Sequence, residues 1–221
     1  MAVAPALLEL CNLACERDER FLFAQLNATF YAGQVVQILG PNGSGKTTLL
    51  RILAGVSRDY QGDILWCGRP VAQLAWEFAS ESLYLGHLPG VKKSLTPLEN
   101  LRWYAALQGG VNDEQLLLAL EHVNLAGYED TPCYQLSAGQ LRRVALARLK
   151  FSKARVWILD EPFTALDKAG VAQLEKQLSD HAGAGGLVLV TSHQDILFPQ
   201  LQILNLQDFV DKSTDGELAH G

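Results

Sequence analysis

One glycine-rich segment of the chain has the composition of an anion-binding loop. The pattern GxxxxGK(S/T) is matched by Gly40, Pro41, Asn42, Gly43, Ser44, Gly45, Lys46 and Thr47, with Thr48 next in the chain. The segment follows an apolar run at 35–39 that predicts a strand, and it precedes a run at 47–53 with helical periodicity. Glycines let successive N–H groups point at one anion, and a helix N-terminus attracts negative charge. We therefore predict that residues 40–48 bind nucleotide phosphates, with Lys46 reaching the β- and γ-phosphates and the Thr47 hydroxyl ligating Mg²⁺.

Two adjacent carboxylates follow a second apolar run. Residues 156–159 predict a buried strand, and Asp160 and Glu161 come directly at its end. Open α/β sheets bind ligands beyond the carboxyl ends of their strands. A strand that ends in Asp-Glu is, on its own, as often a solvated terminus, but the glycine loop favours a functional interpretation. We expect Asp160 to contact Mg²⁺ opposite Thr47, and Glu161 to polarise the water that attacks the γ-phosphate.

The other apolar patterns predict the elements that must hold these groups in place. Strands are expected at 35–39, 156–159, 187–190 and 203–206, and two antiparallel edge strands are expected at 7–14 and 22–30, on either side of a turn at 16–20. Helical periodicity is present at 47–53, 97–107, 113–123, 140–149 and 169–181. The pattern predicts an α/β fold with a mostly parallel sheet and an N-terminal antiparallel part.

The block at 89–133 contains helical patterns and no convincing strand. We therefore expect a single domain over 1–221, with a helical subdomain at about 89–135 inserted into the α/β core. The last stretch, Asp208–Gly221, is polar and acidic, and we expect it to fray.

Composition and charge limit the kinds of protein that this chain can be. The chain has 221 residues, of which 48% are hydrophobic and 19% are charged, as in an ordinary globular domain. A net charge of −6 without basic runs argues against a nucleic-acid partner. The sequence contains no apolar run of the ~18–20 residues that a membrane span needs, and its start lacks the basic region of a secretion signal. These features predict a cytoplasmic protein.

The four cysteines carry no clear ligand pattern. Cys11, Cys15, Cys67 and Cys133 form no CxxC and have no neighbours at zinc-ligand spacing. They indicate reduced thiols of a cytosolic protein. A redox or metal pair of Cys11 and Cys15 is the alternative.

The segment at 136–143 identifies the family. Its sequence LSAGQLRR resembles the LSGGQ signature of ABC ATPases, with Ala138 in place of one glycine. An N-capping Ser137 before an amphipathic helix would give a similar pattern. The position of this segment after a phosphate loop in the chain favours the ABC signature. Residues 164–167 resemble the D-loop, and His193, at the end of a strand, resembles the switch histidine. The resemblance covers nearly the whole chain.

This resemblance implies the fold, the cofactors and a partner. The fold would be the P-loop NTPase core of ABC ATPases, and the cofactors would be ATP and Mg²⁺. The catalytic residues would be Lys46, Glu161 and His193, the last as the γ-phosphate sensor. In the family, the signature faces the ATP that a second copy holds, so Ser137, Gly139 and Gln140 would bind nucleotide across a homodimer closed by ATP.

Two positions depart from the family pattern. His87 stands where the Q-loop glutamine is usual, and a neutral imidazole there can still ligate Mg²⁺ or hydrogen-bond water. Arg17 lies near the position where an aromatic ring normally stacks on adenine, and a guanidinium plane can stack on a base. An exposed arginine without a role explains Arg17 equally well.

A closer resemblance is to the ATP-binding subunits of cytochrome c maturation (haem exporter) systems. It is carried by the segment at 15–20, by Gly86-His87 followed by 89–92, and by the short chain after His193. It implies membrane-embedded permease partners, a peripheral position on the cytoplasmic face of the inner membrane, and haem handling or export. The sequence contains no Cys-Pro or CxxCH haem-binding motif, so we expect no direct binding of haem.

The family resemblance also implies a docking region and leaves other functions open. A permease helix would bind near the Q-loop side of the helical block, where Leu88, Val91, Trp103 and Tyr104 are candidate contacts, although each also suits core packing. The alternatives are a soluble ABC ATPase of iron–sulfur assembly and an ABC transporter subunit for another substrate. A nucleic-acid or ribosome ATPase would usually have two cassettes or a coiled coil, and a non-catalytic subunit would not retain Lys46 and Glu161.

Overall fold

The computed structural model describes residues 5–210, which form two sheets flanked by helices. The strands are β1 (Ala6–Arg17), β2 (Arg20–Tyr31), β3 (Val35–Leu39), β4 (Gln61–Trp66), β5 (Arg69–Pro70), β6 (Ser82–Leu85), β7 (Val156–Asp160), β8 (Leu187–Thr191) and β9 (Gln202–Asn205). The α-helices are α1 (Lys46–Leu53), α2 (Ala75–Glu81), α3 (Pro97–Ala106), α4 (Asp113–His122), α5 (Ala138–Ala147) and α6 (Lys168–Gly183). The C-terminal stretch expected to fray lies, from residue 211 onward, outside the described residues.

The N-terminal part forms an antiparallel sheet with the strand order β2-β1-β4-β5. Strands β1 and β2 form a hairpin, and Asp18 and Glu19 at its turn have φ angles of 50° and 62°. Two consecutive left-handed residues match the right-handed twist of the strands, which is why such turns close short hairpins. The expected antiparallel pair is confirmed. The hairpin carries Arg17 at one end of its turn and Arg20 at the other.

The second sheet is wholly parallel, with the strand order β6-β7-β8-β3-β9. Every residue of β7 and β8 is buried, as expected of parallel strands covered on both faces. The predicted fold class is therefore confirmed. Asp160 on β7 pairs in register with Thr191 on β8, and Thr191 pairs with Ile38 on β3. The loops that follow these three strands consequently meet at one edge of the sheet.

Two hydrophobic clusters hold the sheets and helices together. One cluster fills the space between the two sheets and includes α1, whose Leu49, Leu50, Ile52 and Leu53 are all buried. The other lies on the opposite face of the parallel sheet, under α3 to α6. Burying one such leucine or isoleucine contributes about 1.5–3 kcal/mol. The packing of α1 therefore fixes the glycine-rich loop that enters it.

The helices α3 and α4 begin at side-chain caps. Thr96 and Glu99 form a reciprocal capping box at α3, and the Asn112 side chain accepts from the Gln115 N–H at α4. Asn100, only 1% exposed, donates to the carbonyls of Lys92 and Thr96. The buried amide of Asn100 thus connects the segment at 92–96 to α3 by hydrogen bonds.

Four elements escaped the sequence analysis: α2, β4, β5 and β6. Strand β4 begins with the exposed Gln61-Gly62-Asp63 and so lacks a clear alternating pattern. Strand β6 is only four residues long and follows α2 without a loop. Its pairing with β7 nevertheless makes it the edge of the parallel sheet, directly before His87.

The described residues include no helix with the length and apolar character needed to cross a bilayer. All four cysteines are free. The Cys15 thiol donates to the Asp59 carbonyl at 3.2 Å, and burial raises the pKa of Cys15. Within residues 5–210 there is also no cluster of three or more His, Cys, Asp or Glu side chains arranged to hold a metal.

Candidate active site

A cavity of about 750 Å³ opens at the carboxyl edge of the parallel sheet, beside the β1–β2 hairpin. It is lined by Arg17, Asp18, Arg20, Leu22, Asn42, Gly43, Gly45, Lys46, Thr47, Thr48, His87, Asp160, Glu161 and His193. The structure thus brings most of the residues singled out from the sequence to one site. They come from the hairpin, the glycine-rich loop and the ends of β6, β7 and β8.

The glycine-rich loop has a backbone that other residues would strain. Gly40, Gly43 and Gly45 have φ angles of 151°, 81° and 93°. A Cβ at Gly40 would lie 2.4 Å from Ser44 Oγ, and one at Gly45 would lie 3.0 Å from Leu22. Gly45 also occupies the N-cap of α1, where no side chain caps the helix and the first turn has no acidic residue. The free N–H groups of this turn can therefore bind an anion.

Lys46 lies across the mouth of this loop. Its Nζ donates to the carbonyls of Gly40 at 2.7 Å and Pro41 at 3.1 Å. The ammonium group is therefore held over the loop, where it can transfer its hydrogen bonds to a phosphate.

Asp160 and Thr47 form an oxygen-rich corner of the cavity. The hydroxyls of Thr47 and Thr191 both donate to Asp160 Oδ1, at 3.2 and 2.8 Å. The side chain of Asp160 is only 1% exposed, and its Oδ2 has no hydrogen-bond partner among the described residues. A buried carboxylate oxygen without a partner is costly. Carboxylate and hydroxyl oxygens suit a hard cation such as Mg²⁺, which takes few protein ligands and keeps phosphate and water oxygens for the rest.

Glu161 and His193 lie side by side at the wall of the cavity, at the ends of neighbouring strands. Glu161 has a left-handed backbone, with φ 49°, and its N–H donates to Thr191 Oγ1 at 3.0 Å. The N–H of His193 donates to Glu161 Oε2 at 3.2 Å, and His193 Nε2 lies 3.6 Å from Glu161 Oε1. The Glu161 side chain is 15% exposed, whereas that of His193 is 65% exposed. The Glu161 carboxylate is thus mostly buried but borders the cavity, where it can accept a proton from water.

The sequence analysis overlooked two buried polar residues behind these groups. Gln37, on β3, donates through Nε2 to the carbonyls of Ser192 and Gln194, which flank His193 on both sides. Arg142, on α5, donates to the carbonyls of Asp160 and Glu161. Each was signalled by a polar residue inside an otherwise apolar pattern, in the strand VVQIL and on the buried face of α5.

The signature segment lies outside the cavity of its own chain. Ser137 is the exposed N-cap of α5, and it forms a capping box with Gln140, with bonds of 3.2 and 2.9 Å. Gly139 approaches the D-loop, since a Cβ there would lie 3.0 Å from the Ala165 carbonyl. None of the three is among the residues that line the cavity. Ser137 therefore caps its own helix, and its segment lies apart from the lining of the cavity in the same chain.

Arg17 and His87 are both exposed residues on the rim of the cavity. Arg17 has only a loose ion pair with Asp18, at 3.7 Å, and its side chain is 72% exposed. His87 follows β6 and lies on the same rim as Asp160 and His193. Both side chains are free to turn toward a ligand.

The comparisons with known proteins agree with one another. Residues 23–164 match the ABC transporter family. A cytochrome c biogenesis ATP-binding export protein CcmA from Saccharophagus degradans is 54% identical over 207 residues, which cover 90% of this chain and 92% of that protein. The protein of the same name from Tatumella citrea is 57% identical, over 86% of this chain and 90% of that protein. The one from Aliivibrio fischeri is 50% identical, over 91% of this chain and 98% of that protein.

Solved structures give the same picture of the fold. A putative ABC transporter ATP-binding protein from Pyrococcus furiosus superposes with a TM-score of 0.79 at 26% identity, covering 92% of this chain and 98% of that one. A dimeric ATP-binding cassette bound to ADP and Pi superposes with a TM-score of 0.73 at 23% identity, covering 85% of this chain and 88% of that one, and at this identity it shows the fold alone.

Proposed function

Because the chain belongs to the ABC transporter family, in the group of cytochrome c biogenesis ATP-binding export proteins, we propose that it hydrolyses ATP to power a membrane complex that handles or exports haem. One observation carries the proposal. The Glu161 carboxylate is held beside His193 on one side of the cavity, facing the Lys46 loop and the Thr47–Asp160 corner. This is the arrangement that hydrolysis of a nucleoside triphosphate needs.

The loop from Gly40 to Thr48 binds the phosphates of ATP. Its free N–H groups at the start of α1 take the phosphate oxygens, and Lys46 exchanges the carbonyls of Gly40 and Pro41 for the β- and γ-phosphates. Arg17, on the exposed hairpin turn, is the candidate to stack on adenine. Mg²⁺ would be held by Thr47 and Asp160, whose Oδ2 has no partner among the described residues, with His87 as a further candidate at the rim. When bound, the ion neutralises charge on the phosphate oxygens.

Hydrolysis uses Glu161 as the general base. A water between Glu161 and the γ-phosphate gives a proton to the carboxylate while its oxygen bonds to phosphorus. The bond from phosphorus to the β–γ bridging oxygen breaks, and the products are ADP and inorganic phosphate. His193 senses the γ-phosphate from its position beside Glu161, and the ammonium of Lys46 stabilises the developing charge.

A second copy completes the site. The exposed N-terminus of α5, with Ser137, Gly139 and Gln140, is a helix N-terminus that does not reach the cavity of its own chain. In a head-to-tail homodimer it binds the γ-phosphate held by Lys46 of the other copy. ATP then closes the dimer, and hydrolysis releases it.

A membrane permease docks at a groove of about 460 Å³ beside the cavity. Leu88, in this groove, is 80% exposed and Trp103 on α3 is 42% exposed, which supports a contact role for these two candidates. Val91 and Tyr104 are partly buried, and the Tyr104 hydroxyl donates to the Gly90 carbonyl at 2.6 Å. In the helical subdomain that we propose for about 89–135, Tyr104 lines this groove together with His87 and Leu88. Val91 and Trp103 are not among its lining residues. Docking there holds the chain on the cytoplasmic face of the inner membrane.

Purification from membranes tests this function. The chain, expressed with its native membrane partners, should co-purify with them from detergent-solubilised membranes. Absorption spectroscopy should detect haem in the complex that carries Glu161→Gln, which retains bound ATP. A soluble scaffold in place of membrane subunits would point to iron–sulfur assembly, and a complex without haem in either form would point to another substrate.

The docking groove has its own matched pair of variants. Leu88→Glu should abolish co-purification with the membrane partners while ATP binding persists. Leu107→Glu, at an equally exposed leucine beyond the end of α3 (69% exposed), should leave co-purification intact. Equal loss in both variants would contradict a specific groove.

A further inference from the structure

Arg142 is a buried cation whose hydrogen-bond partners are main-chain carbonyls. It is 4% exposed and lies on the inner face of α5. Its guanidinium donates to the carbonyls of Asp160 at 2.7 Å and Glu161 at 2.6 Å, and more weakly to Pro162 at 3.5 Å. It also donates to the carbonyls of Gly86 at 2.8 Å and His87 at 3.5 Å. Among residues 5–210 it has no ion pair with a carboxylate.

Such an arrangement is not what stability alone favours. A charged group removed from water is costly, and an apolar side chain of similar volume often stabilises a fold as well or better. Burial lowers the pKa of Arg142, and the nearby charges of Asp160 and Glu161 oppose that shift. The planar fork of five donors, however, can join several carbonyls at once in fixed directions. Arg142 is therefore suited to fixing the relative positions of separate backbone segments.

The first segment that Arg142 holds is the backbone of Glu161. That residue has φ 49°, a conformation uncommon for residues other than glycine. Its carbonyl accepts from Arg142, while its N–H donates to Thr191 Oγ1. Both peptide groups that flank Glu161 are thus fixed, and the fixed backbone aims the carboxylate at the cavity and at His193.

The second segment is the start of the docking groove. The carbonyls of Gly86 and His87 share the guanidinium with Glu161, and the next residue is the exposed Leu88. Arg142 itself lies five residues after Ser137, on the helix whose N-terminus is proposed above to bind the ATP of a second copy. One side chain therefore connects the hydrolytic carboxylate, the groove and the dimer-facing helix.

We propose that Arg142 is a positioning residue for ATP hydrolysis, which fixes Glu161 for attack by water and couples it to the 86–88 segment. The inference rests on the proposed ATPase function and goes beyond it. Nucleotide binding by the Lys46 loop does not involve Arg142, so turnover depends on Arg142 while ATP affinity does not.

The test uses Arg142→Lys and Arg142→Gln in the full-length chain. Displacing a catalytic group slightly lowers the rate by roughly 10²-fold, so kcat should fall by about 10- to 100-fold while KM and the Kd for Mg·ATP change little. Arg142→Lys keeps the charge and three donors and should retain more activity than Arg142→Gln. The control is Arg148→Gln, which removes a partly buried guanidinium just beyond α5 that stacks on the Tyr104 ring at 3.6 Å. The hydrogen bonds to the carbonyls of Gly86 and Glu161 come from Arg142 instead. Arg148→Gln should therefore retain turnover.

Several outcomes would overturn the proposal. These are unchanged kcat in both Arg142 variants, an equal loss in Arg148→Gln, or a parallel loss of ATP affinity. Unfolding of both variants, seen as loss of the thermal transition, would also overturn it, since Arg142 would then serve the fold. If the wild-type chain hydrolyses no ATP, or if Lys46→Ala leaves turnover unchanged, the proposed function fails and this inference fails with it.

Discussion

His193 contacts Glu161 through two different groups, the main-chain N–H at 3.2 Å from Oε2 and the ring Nε2 at 3.6 Å from Oε1. The two residues lie at the ends of neighbouring strands, β8 and β7, so the register of the parallel sheet brings them together. The hydrogen bond to Oε2 orients the Glu161 carboxylate, whereas Oε1 has no hydrogen-bond partner among residues 5–210. No lysine or arginine side chain in that part of the chain lies within salt-bridge distance of this carboxylate. A carboxylate in this state can accept a proton.

The first prediction concerns the role of Glu161 as the base. Glu161→Gln keeps the size of the side chain and removes its basicity, so turnover should fall by about 10²- to 10⁴-fold. ATP affinity should persist, because the phosphate loop is intact. The variant should accumulate as a dimer with Mg·ATP, as measured by light scattering coupled to gel filtration. Lys46→Ala, which removes the phosphate contact, should give neither dimer nor turnover, and a monomeric Glu161→Gln profile with ATP would contradict the proposed assembly.

The second prediction concerns Gln37 as a support for His193. Gln37→Met keeps the length of the side chain and removes the amide that donates to the carbonyls of Ser192 and Gln194. We expect kcat to fall by about tenfold, because the loop that carries His193 loses its fixed position. The free energy of unfolding should fall by about 1–3 kcal/mol, because the Ser192 carbonyl loses this donor and the Gln194 carbonyl keeps only the Ser192 hydroxyl. Steady-state kinetics and urea denaturation measure the two effects.

A companion variant distinguishes the loss of the amide donor from the repulsion between a negative charge and the two carbonyl oxygens. Gln37→Glu places a carboxylate against the same two carbonyls and should be worse than Gln37→Met in both measurements. If Gln37→Met has wild-type kcat, the position of His193 does not depend on this strand.

The fold and the phosphate loop were readable from the sequence because each rests on residue types with few alternatives. The run VWIL ahead of Asp160 and Glu161 can be little else than a buried strand, and the glycines before Lys46 mark a backbone that other residues strain. Strand β6 was missed because four residues provide too few alternations to detect. Its position became clear only from its pairing with β7.

The roles of the residues that support the site, Arg142 and Gln37, could not be predicted from the sequence for a different reason. Arg142 and Gln37 bind main-chain carbonyls, and every residue carries such an acceptor. The sequence can show that a polar side chain interrupts an apolar pattern, but it does not identify which carbonyls lie opposite it. The separation of Ser137 from the cavity of its own chain was expected only through the family resemblance, because it depends on the relative placement of α5 and the parallel sheet.

The third prediction concerns the pH dependence of stability. The His181 ring stacks on Trp157, with centroids 3.7 Å apart and planes within 6°, and burial lowers the pKa of His181 from its usual 6.5. The unfolded chain therefore binds the proton more readily than the folded chain. The free energy of unfolding should be highest above pH 6.5 and should fall as the pH drops from 6.5 towards the lowered pKa.

Urea denaturation between pH 7.5 and 5.5 measures this dependence. His181→Phe keeps an aromatic ring on Trp157 and removes the titrating group, so the slope of stability against pH should decrease. His122, whose pKa burial also lowers, should account for part of the slope that remains. An unchanged slope in His181→Phe would mean that this stacked histidine does not titrate in the range.

The fourth prediction separates the two roles of Ser137, which caps α5 and is proposed to contact the ATP of a second copy. Ser137→Ala removes the acceptor for the Gln140 N–H and should lower the free energy of unfolding by about 0.5–2 kcal/mol. Thr96→Ala removes the equivalent hydroxyl from the capping box of α3 and should have a similar cost. Thermal or urea unfolding of both variants measures the capping contribution alone.

The difference between these two matched variants then tests the dimer. If Ser137 only caps its helix, both variants should form the ATP-dependent dimer and hydrolyse ATP equally well in the folded state. If Ser137 also binds the γ-phosphate across the interface, Ser137→Ala should weaken dimer formation in the Glu161→Gln background by about tenfold or more, since a hydrogen bond to a charged group contributes roughly 1.5–3 kcal/mol. Thr96→Ala in the same background should not weaken it. Because the two variants share the loss of one cap and differ only in where that cap lies, equal dimerisation constants would remove the signature segment from the proposed interface.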